Sequence, residues 1–508
     1  MIRNIIFDMG NVLLRFDREV FMNRHAADCT PEERTLLLRE VFLSAEWIMQ
    51  DRGTHTPSET VEIICERLPE KLHKAVEGLV NWYVGDIMPV DGMAELIGEL
   101  KQKGYKIYLL SNAAKDFPNY WNRIPGHEYF DDLCVSAFHG FIKPQPEIYR
   151  CALEKFGVLE QFSPSYVEML ADENGRIFGL PRDGYVLGMH INIALFREAG
   201  LVDEEGLPLY PKTLQELAEY GKIIHEKTGK AGLVFPASAT YGGWLFTNIA
   251  WNFGCVGDSA LEYQDEEGRW VCNFTSPECI AAMEYMRDLQ WTYDVYNADA
   301  TTTDWAGSHS ALGIGEAAMN FAADDAVDQP TANKGLPLED FALIPFPAGP
   351  EGRYALAGGT CYMFAPDITN DQAVALMAYL KILGKLPFLD DAIVEGMRAD
   401  YAAKRDRGAP VIPAISAWNN EEYNAAKQAI VDEFCNVDMR LYADFFDSIS
   451  EGTITLKAEE PVFAQQLYRE LTAVVQRVIT REGADIEKAL KKAEESFQEY
   501  LDDEINDI

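Results

Sequence analysis

The chain is poor in positive charge, in paired cysteines and in long apolar runs. Its 44 Lys and Arg face 82 Asp and Glu, a net charge of -38. A field of that sign repels phosphate backbones and anionic lipid headgroups, so neither nucleic acid nor a membrane surface is expected as a partner. The excess reads first as a solubility feature. The 9 cysteines are scattered, none forms a CxxC pair and their number is odd. That excludes a disulfide framework and a zinc site, and points to reduced thiols in a cytosol-like compartment. No stretch approaches the roughly 18 consecutive apolar residues of a membrane helix. In the opening MIRNIIFDMGNVLL an aspartate breaks the apolar run early, so no secretory signal is read and a cytoplasmic location is expected. There is no internal repeat, no low-complexity tract, and no Pro/Ser/Gly-rich spacer between 150 and 175.

What is present exceeds a single domain: 508 residues, 48% of them hydrophobic, fill more than one core. Residues 2–7 (IRNIIF) form a short apolar, β-branched run that ends at Asp8 and a glycine turn, the pattern of a buried strand. Residues 17–88 are helical in pattern, and 92–103 form an amphipathic helix stopped by Gly104. YKIYLLSN (105–112) and LCVSAF (133–138) read as further strands, and PEIYRCALEKFG (146–157) as a helix. Strands alternating with helices predict a parallel sheet with its chemistry at the strands' C-terminal ends. After Gly157 the texture changes. Glycine-punctuated strand-like residues (175–192) precede helices at 193–199 and 213–227, a strand pair near 261–274, and a helical stretch over 461–504.

Three polar groups follow the first strands in order. Asp8 ends the first strand in FDMGNVL, Ser111 and Asn112 end the second in LLSN, and Lys143 lies in FIKPQPEIY. A carboxylate can attack phosphorus, and small donors with a fixed cation stabilise the charge on the equatorial oxygens. Residues 1–157 resemble the haloacid-dehalogenase superfamily of phosphatases. The resemblance implies a Rossmann-like parallel sheet with a helical cap over about 17–88. Asp8 would be the nucleophile, Ser111 and Asn112 the phosphoryl-binding pair, and Lys143 the neutralising cation. It also implies Mg²⁺, held by Asp8 and by acids of a fourth motif. Two departures stand out. Gly10 occupies the position two after the nucleophile, often an aspartate acting as general acid. The fourth motif should end in paired acids, and SYVEMLADENGRIFG offers Asp172 as the metal ligand, beside Glu173 and Asn174. The same residues read as an ordinary acidic turn, and no further strand and helix of the phosphatase type follow. Their loss would leave the nucleophile's strand at an exposed sheet edge.

The remainder is rich in aromatics set among glycines and acids. Aromatic faces pack on the C–H patches of sugars, while Asp, Asn, Glu and Arg bond the hydroxyls. GRIFGLPRDGYVLGMHINIALFREAGL, LPLYPKTLQELAEYGKII, GIGEAAMNF and FALIPFPAGPEGRYALAGGTCYMFAP resemble passages of the substrate-binding proteins of sugar ABC importers. The resemblance covers 161–508. It implies an α/β two-lobe fold lacking its N-terminal part, a sugar or sugar phosphate as ligand, and an ABC permease as partner. Those relatives are extracellular lipoproteins or periplasmic. Candidate ligand residues are Asp183, Tyr185, Tyr241, Trp244, Trp251 and Trp305. Trp244 and Trp305 lead, because each sits in a polar, glycine-containing, loop-like setting. Gly358 and Gly359 would let backbone approach the ligand. Three functions are therefore expected in competition: carbohydrate binding, Mg²⁺-dependent phosphatase action on a small metabolite, or a non-functional fusion of two truncated genes.

Overall fold

The computed structural model describes residues 4–85, 87–156, 162–171, 179–363, 365, 370–387 and 389–506. The chain divides into two compact units, Met1–Phe178 and Gly179–Ile508. Asp172 lies outside the described residues.

The first unit is built on a parallel sheet of β1 (Asn4–Phe7), β2 (Lys106–Ser111) and β3 (Asp132–Val135), in the order β1-β2-β3. The central strand is buried from Ile107 to Ser111, as a strand covered on both faces must be. Among the described residues β1 pairs only with β2, and Ile6 is 41% exposed. Between β1 and β2 runs the helical insertion, whose starts are written locally. Thr30 and Thr56 each cap a helix reciprocally with Glu33 and Glu59, with proline at the first position. Phe16, Phe21, Phe42 and Trp82 knit the insertion together by edge and tilted ring contacts. On the other face of the sheet, the helix Pro146–Lys155 brings Phe156 to stack on Tyr108 at 4.2 Å.

The second unit contains β4 (Leu180–Pro181), β5 (Tyr185–Asn192), β6 (Ala231–Val234), β7 (Glu262–Gln264), β8 (Trp270–Cys272), β9 (Ala317–Ala323), β10 (Phe341–Pro345), β11 (Tyr354–Gly358), β12 (Cys361–Tyr362) and β13 (Thr455–Lys457). Its main sheet is mixed and runs β13-β11-β5-β9-β6, with β10 also on β5. β5 is antiparallel to β9, β10 and β11, while β6–β9 and β11–β13 pair in parallel. All residues of β9 and β10 are buried, which explains their continuous apolar runs. The helices Tyr241–Asn252 and Ala464–Thr480 cross at Gly243: a Cβ there would meet the Tyr468 carbonyl oxygen at 2.0 Å. Gly243 N–H donates to Thr472 Oγ1 at 2.7 Å in the same contact. The C-terminal stretch is two helices, Ala464–Thr480 and Ile486–Leu501, rather than one. No described helix is long and apolar enough to cross a membrane.

Candidate functional site

Each unit carries a pocket. In the first, β1 and β2 end side by side and deliver Asp8, Ser111 and Asn112 to one rim. Lys143 Nζ lies 2.7 Å from Asp8 Oδ1 and donates to Leu110 O at 3.0 Å. Asn112 fixes the lysine's backbone from both sides. It accepts from Lys143 N at 2.7 Å and donates to Lys143 O at 3.0 Å. Met9 N also donates to Asp8 Oδ1, at 2.7 Å. Both of these contacts fall on Oδ1 rather than Oδ2. All four residues read from the sequence thus line one cavity of about 260 Å³. The helical insertion closes it with Trp47, Gln50, Asp51 and Trp82, and Asp116 and Tyr120 complete the wall. Asp51 and Asp116 were not singled out in the sequence. Burial, with the charge of Asp116 added, pushes the Asp51 carboxyl up to about 7. Asp116 is also raised by burial, opposed by a hydrogen bond from Tyr83.

In the second unit, Tyr185, Tyr241, Trp244 and Trp305 meet around a cavity of about 380 Å³. They come from the start of β5 and the first turns of the helices Tyr241–Asn252 and Trp305–Gly313. The loop-like setting expected for Trp244 and Trp305 is therefore a helix N-terminus in both cases. Asp304 caps the second helix, accepting from Gly307 N at 2.8 Å, and so fixes where Trp305 starts. Each of the four aromatics is half-buried. Two acids missed by the sequence reading, Asp325 and Glu459, share the wall. Burial raises both, and the Trp244 N–H partly offsets that for Glu459. Burial, reinforced by Glu459 and Asp325, also pushes the Tyr185 hydroxyl up to about 12. The signal for Asp325 was an acid pair at the end of the apolar run AAMNFAADD.

Four expected ligand residues are placed otherwise. Trp251 is fully buried, and its Nε1–H donates to Glu460 Oε1 at 2.6 Å, so it belongs to the core. Gly358 makes room for protein, since a Cβ would fall 2.5 Å from the Tyr185 ring. Gly359 likewise lets the chain pass Asp183 O, which its Cβ would meet at 2.1 Å. Asp183 holds this crossing, accepting from Thr360 N at 2.9 Å and Arg182 Nε at 2.6 Å. It lines a separate cavity of about 340 Å³, with Arg182, Asp328, Lys404, Lys427 and Trp418. Tyr185 and Asp325 border both cavities of this unit. Among the described residues no cluster of three or more His, Cys, Asp or Glu is arranged to hold a metal ion. Among the described residues no cysteine forms a disulfide.

Two family models match the chain, and they overlap over residues 126–167, inside the first unit. The family described as haloacid dehalogenase-like hydrolase matches residues 2–167, and the first unit carries that segment. The family described as bacterial extracellular solute-binding protein matches residues 126–381. No curated protein matches the chain. Among solved structures, UgpB from Mycobacterium tuberculosis in complex with glycerophosphocholine aligns with 82% of this chain and 96% of its own, at 18% identity and a TM-score of 0.50. Maltose-bound MalE3 of T. maritima aligns with 69% and 79%, at 20% identity and 0.48. An ABC transporter solute-binding protein from Thermotoga Lettingae TMO, bound with alpha-D-tagatose, aligns with 81% and 97%, at 15% identity and 0.49. Identities this low speak to fold alone. The word extracellular in the family's description stands against the cytoplasmic location expected from the sequence. The match over 126–381 spans half of the chain, which therefore belongs to the bacterial extracellular solute-binding protein family.

Proposed function

We propose that the second unit binds a neutral carbohydrate and presents it to an ABC permease. The observation that carries this reading is the convergence of Tyr185, Tyr241, Trp244 and Trp305 with Asp325 and Glu459 on one cavity. The rings supply faces for sugar C–H patches, and the two carboxyl groups bond hydroxyls. No Lys or Arg stands among the described residues of that wall, so a phosphorylated sugar would meet two acids without a counter-charge. Calorimetry against a panel of neutral mono- and oligosaccharides and their phosphates tests it. Binding is expected for a neutral sugar, weakened about 5- to 30-fold by Trp305→Ala, the loss of one stacking contact. Silence across the whole panel rejects the reading.

A second reading rests on the Asp8–Lys143 pair. Its 2.7 Å contact and the Asn112 clamp suit a phosphatase acting on a small phosphate ester through an aspartyl-phosphate. The side chain of Asp8 is 46% exposed, and its Oδ2 lies outside the contacts with Lys143 and Met9, which suits a hard cation. Asp8 and, by family resemblance, Asp172 would hold Mg²⁺, which when bound would neutralise phosphate charge. Lys143 holds Asp8 in place, and the insertion walls the cavity beside it. Turnover of p-nitrophenyl phosphate is expected, and it should vanish in Asp8→Asn. Turnover that survives this substitution sinks the reading.

A further inference from the structure

A phosphate ester with a poor leaving group needs a proton on its departing oxygen, and Gly10 has no acid to give. The pocket around Asp8 contains two other carboxyl groups, Asp51 and Asp116. Asp51 is the last residue of the helix Ala45–Asp51, and the turn after it is docked onto the sheet end. Ser136 Oγ donates to Asp51 O at 2.6 Å and accepts from Ala113 N at 3.0 Å. One hydroxyl thus ties the turn bearing Asp51 to the loop bearing Ser111 and Asn112. Arg52 Nε donates to Gly140 O at 2.9 Å, and Gly53 packs directly on Ala137 O. Gln50, next to Asp51, is 3% exposed, lines the same cavity, and has no hydrogen-bond partner for Oε1. A buried polar atom left open beside the pocket marks this wall as built to meet a polar ligand. Asp116 is less suited to give a proton, because Tyr83 already bonds it.

We propose that Asp51 is the general acid, protonating the leaving oxygen of a phosphate ester attacked by Asp8. The proposal rests on the phosphatase reading above. Asp8 forms a bond to phosphorus as the P–O bond to the leaving group breaks, and the Asp51 proton moves to that oxygen, giving the free alcohol. Water then attacks the aspartyl-phosphate, its proton passes to the Asp51 carboxylate, and phosphate leaves with both aspartates restored. The titratable groups that line the cavity with Asp51 are Asp8, Asp116, Tyr120 and Lys143, with Tyr83 hydrogen-bonded to Asp116. Burial and Asp116 hold the Asp51 carboxyl near neutrality, where it can both give and take a proton.

The test uses the full chain with Mg²⁺ and two esters, p-nitrophenyl phosphate and glycerol 3-phosphate. The first has a leaving group that departs without a proton; the second does not. In single turnover, which reads the first step alone, Asp51→Asn should slow alcohol release from glycerol 3-phosphate by about 10²- to 10⁴-fold and release of p-nitrophenol by less than tenfold. Asp51→Glu should restore part of the alkyl-ester rate. Equal losses on both esters, with Asp8→Asn still inactive, overturn the proposal and leave the phosphatase reading standing. If neither ester is turned over, both fall. Should Asp51→Asn not fold, the parent's pH profiles decide. In single turnover the alkyl-ester rate must fall above about 7 while the aryl-ester rate does not, and parallel profiles overturn the assignment.

Discussion

His309 stands one turn beyond Trp305 on the helix Trp305–Gly313, and its ring meets the Trp305 ring edge-on at 4.3 Å. It is 1% exposed, and neither ring nitrogen has a hydrogen-bond partner among the described residues. Burial therefore lowers it to about 4, from an ordinary value of 6.5. The folded unit binds this proton less readily than the unfolded chain does. The contribution of neutral His309 is fully present above about 6.5 and is lost as the pH falls toward 4. At pH 5 the unfolded imidazole is almost wholly charged and the folded one only about a tenth. The difference is about 2 kcal/mol, rising to about 3 below pH 4. His190, 5.7 Å away and fully buried, is lowered for the same reason and adds in the same direction. Two buried acids of this unit act oppositely. Glu262 is raised to about 8 and Asp324 to about 7 by burial, so each favours folding as the pH drops. The parent's own slope mixes these signs, and a variant separates them. Urea unfolding of the parent and His309→Gln should be followed by tryptophan fluorescence at pH 7.5, 6.5, 5.5 and 5. The stability gap between them should shift by about 2 kcal/mol in favour of the variant on going from pH 7.5 to 5. Parallel curves would refute a buried, neutral His309. Sugar affinity in the parent should weaken over the same range, because Trp305 leans on this ring.

Two further outcomes follow from single contacts. Trp251→Phe should destabilise the second unit by about 1–3 kcal/mol, since it strands the buried Glu460 acceptor, while sugar affinity stays unchanged. Calorimetric melting beside ligand titration separates the two effects. In the first unit, Gly53→Ala would set a Cβ 2.1 Å from Ala137 O at a φ of +80°, so the docked turn must shift. Limited proteolysis should then cleave the helical insertion sooner in the variant than in the parent; equal rates would show that the turn is not anchored there.

The legible parts were those that chemistry ties to a strand end. Asp8, Ser111, Asn112 and Lys143 were named from motifs that resemble a family's; the parallel pairing of β1 with β2 sets Asp8 beside Ser111 and Asn112, and Lys143 lines the same cavity. Tyr185, Tyr241, Trp244 and Trp305 were also named, yet only the tertiary fold makes one wall of segments so far apart in sequence. Trp251 shows what residue type cannot carry. It lies on the helix that bears Trp244, seven residues on, hence on nearly the same face but about 10 Å further along the axis. The helix enters the core over that length, against Ala464–Thr480, so the first tryptophan stays half-buried and the second becomes packing. Periodicity reports the face of a helix and not the depth. Asp51 was hidden for a related reason. Nothing in QDRG marks a proton donor, and the role proposed for Asp51 comes only from Ser136 and Gly53, which seat that turn beside the cavity that Asp8 lines, where Gly10 carries no acid.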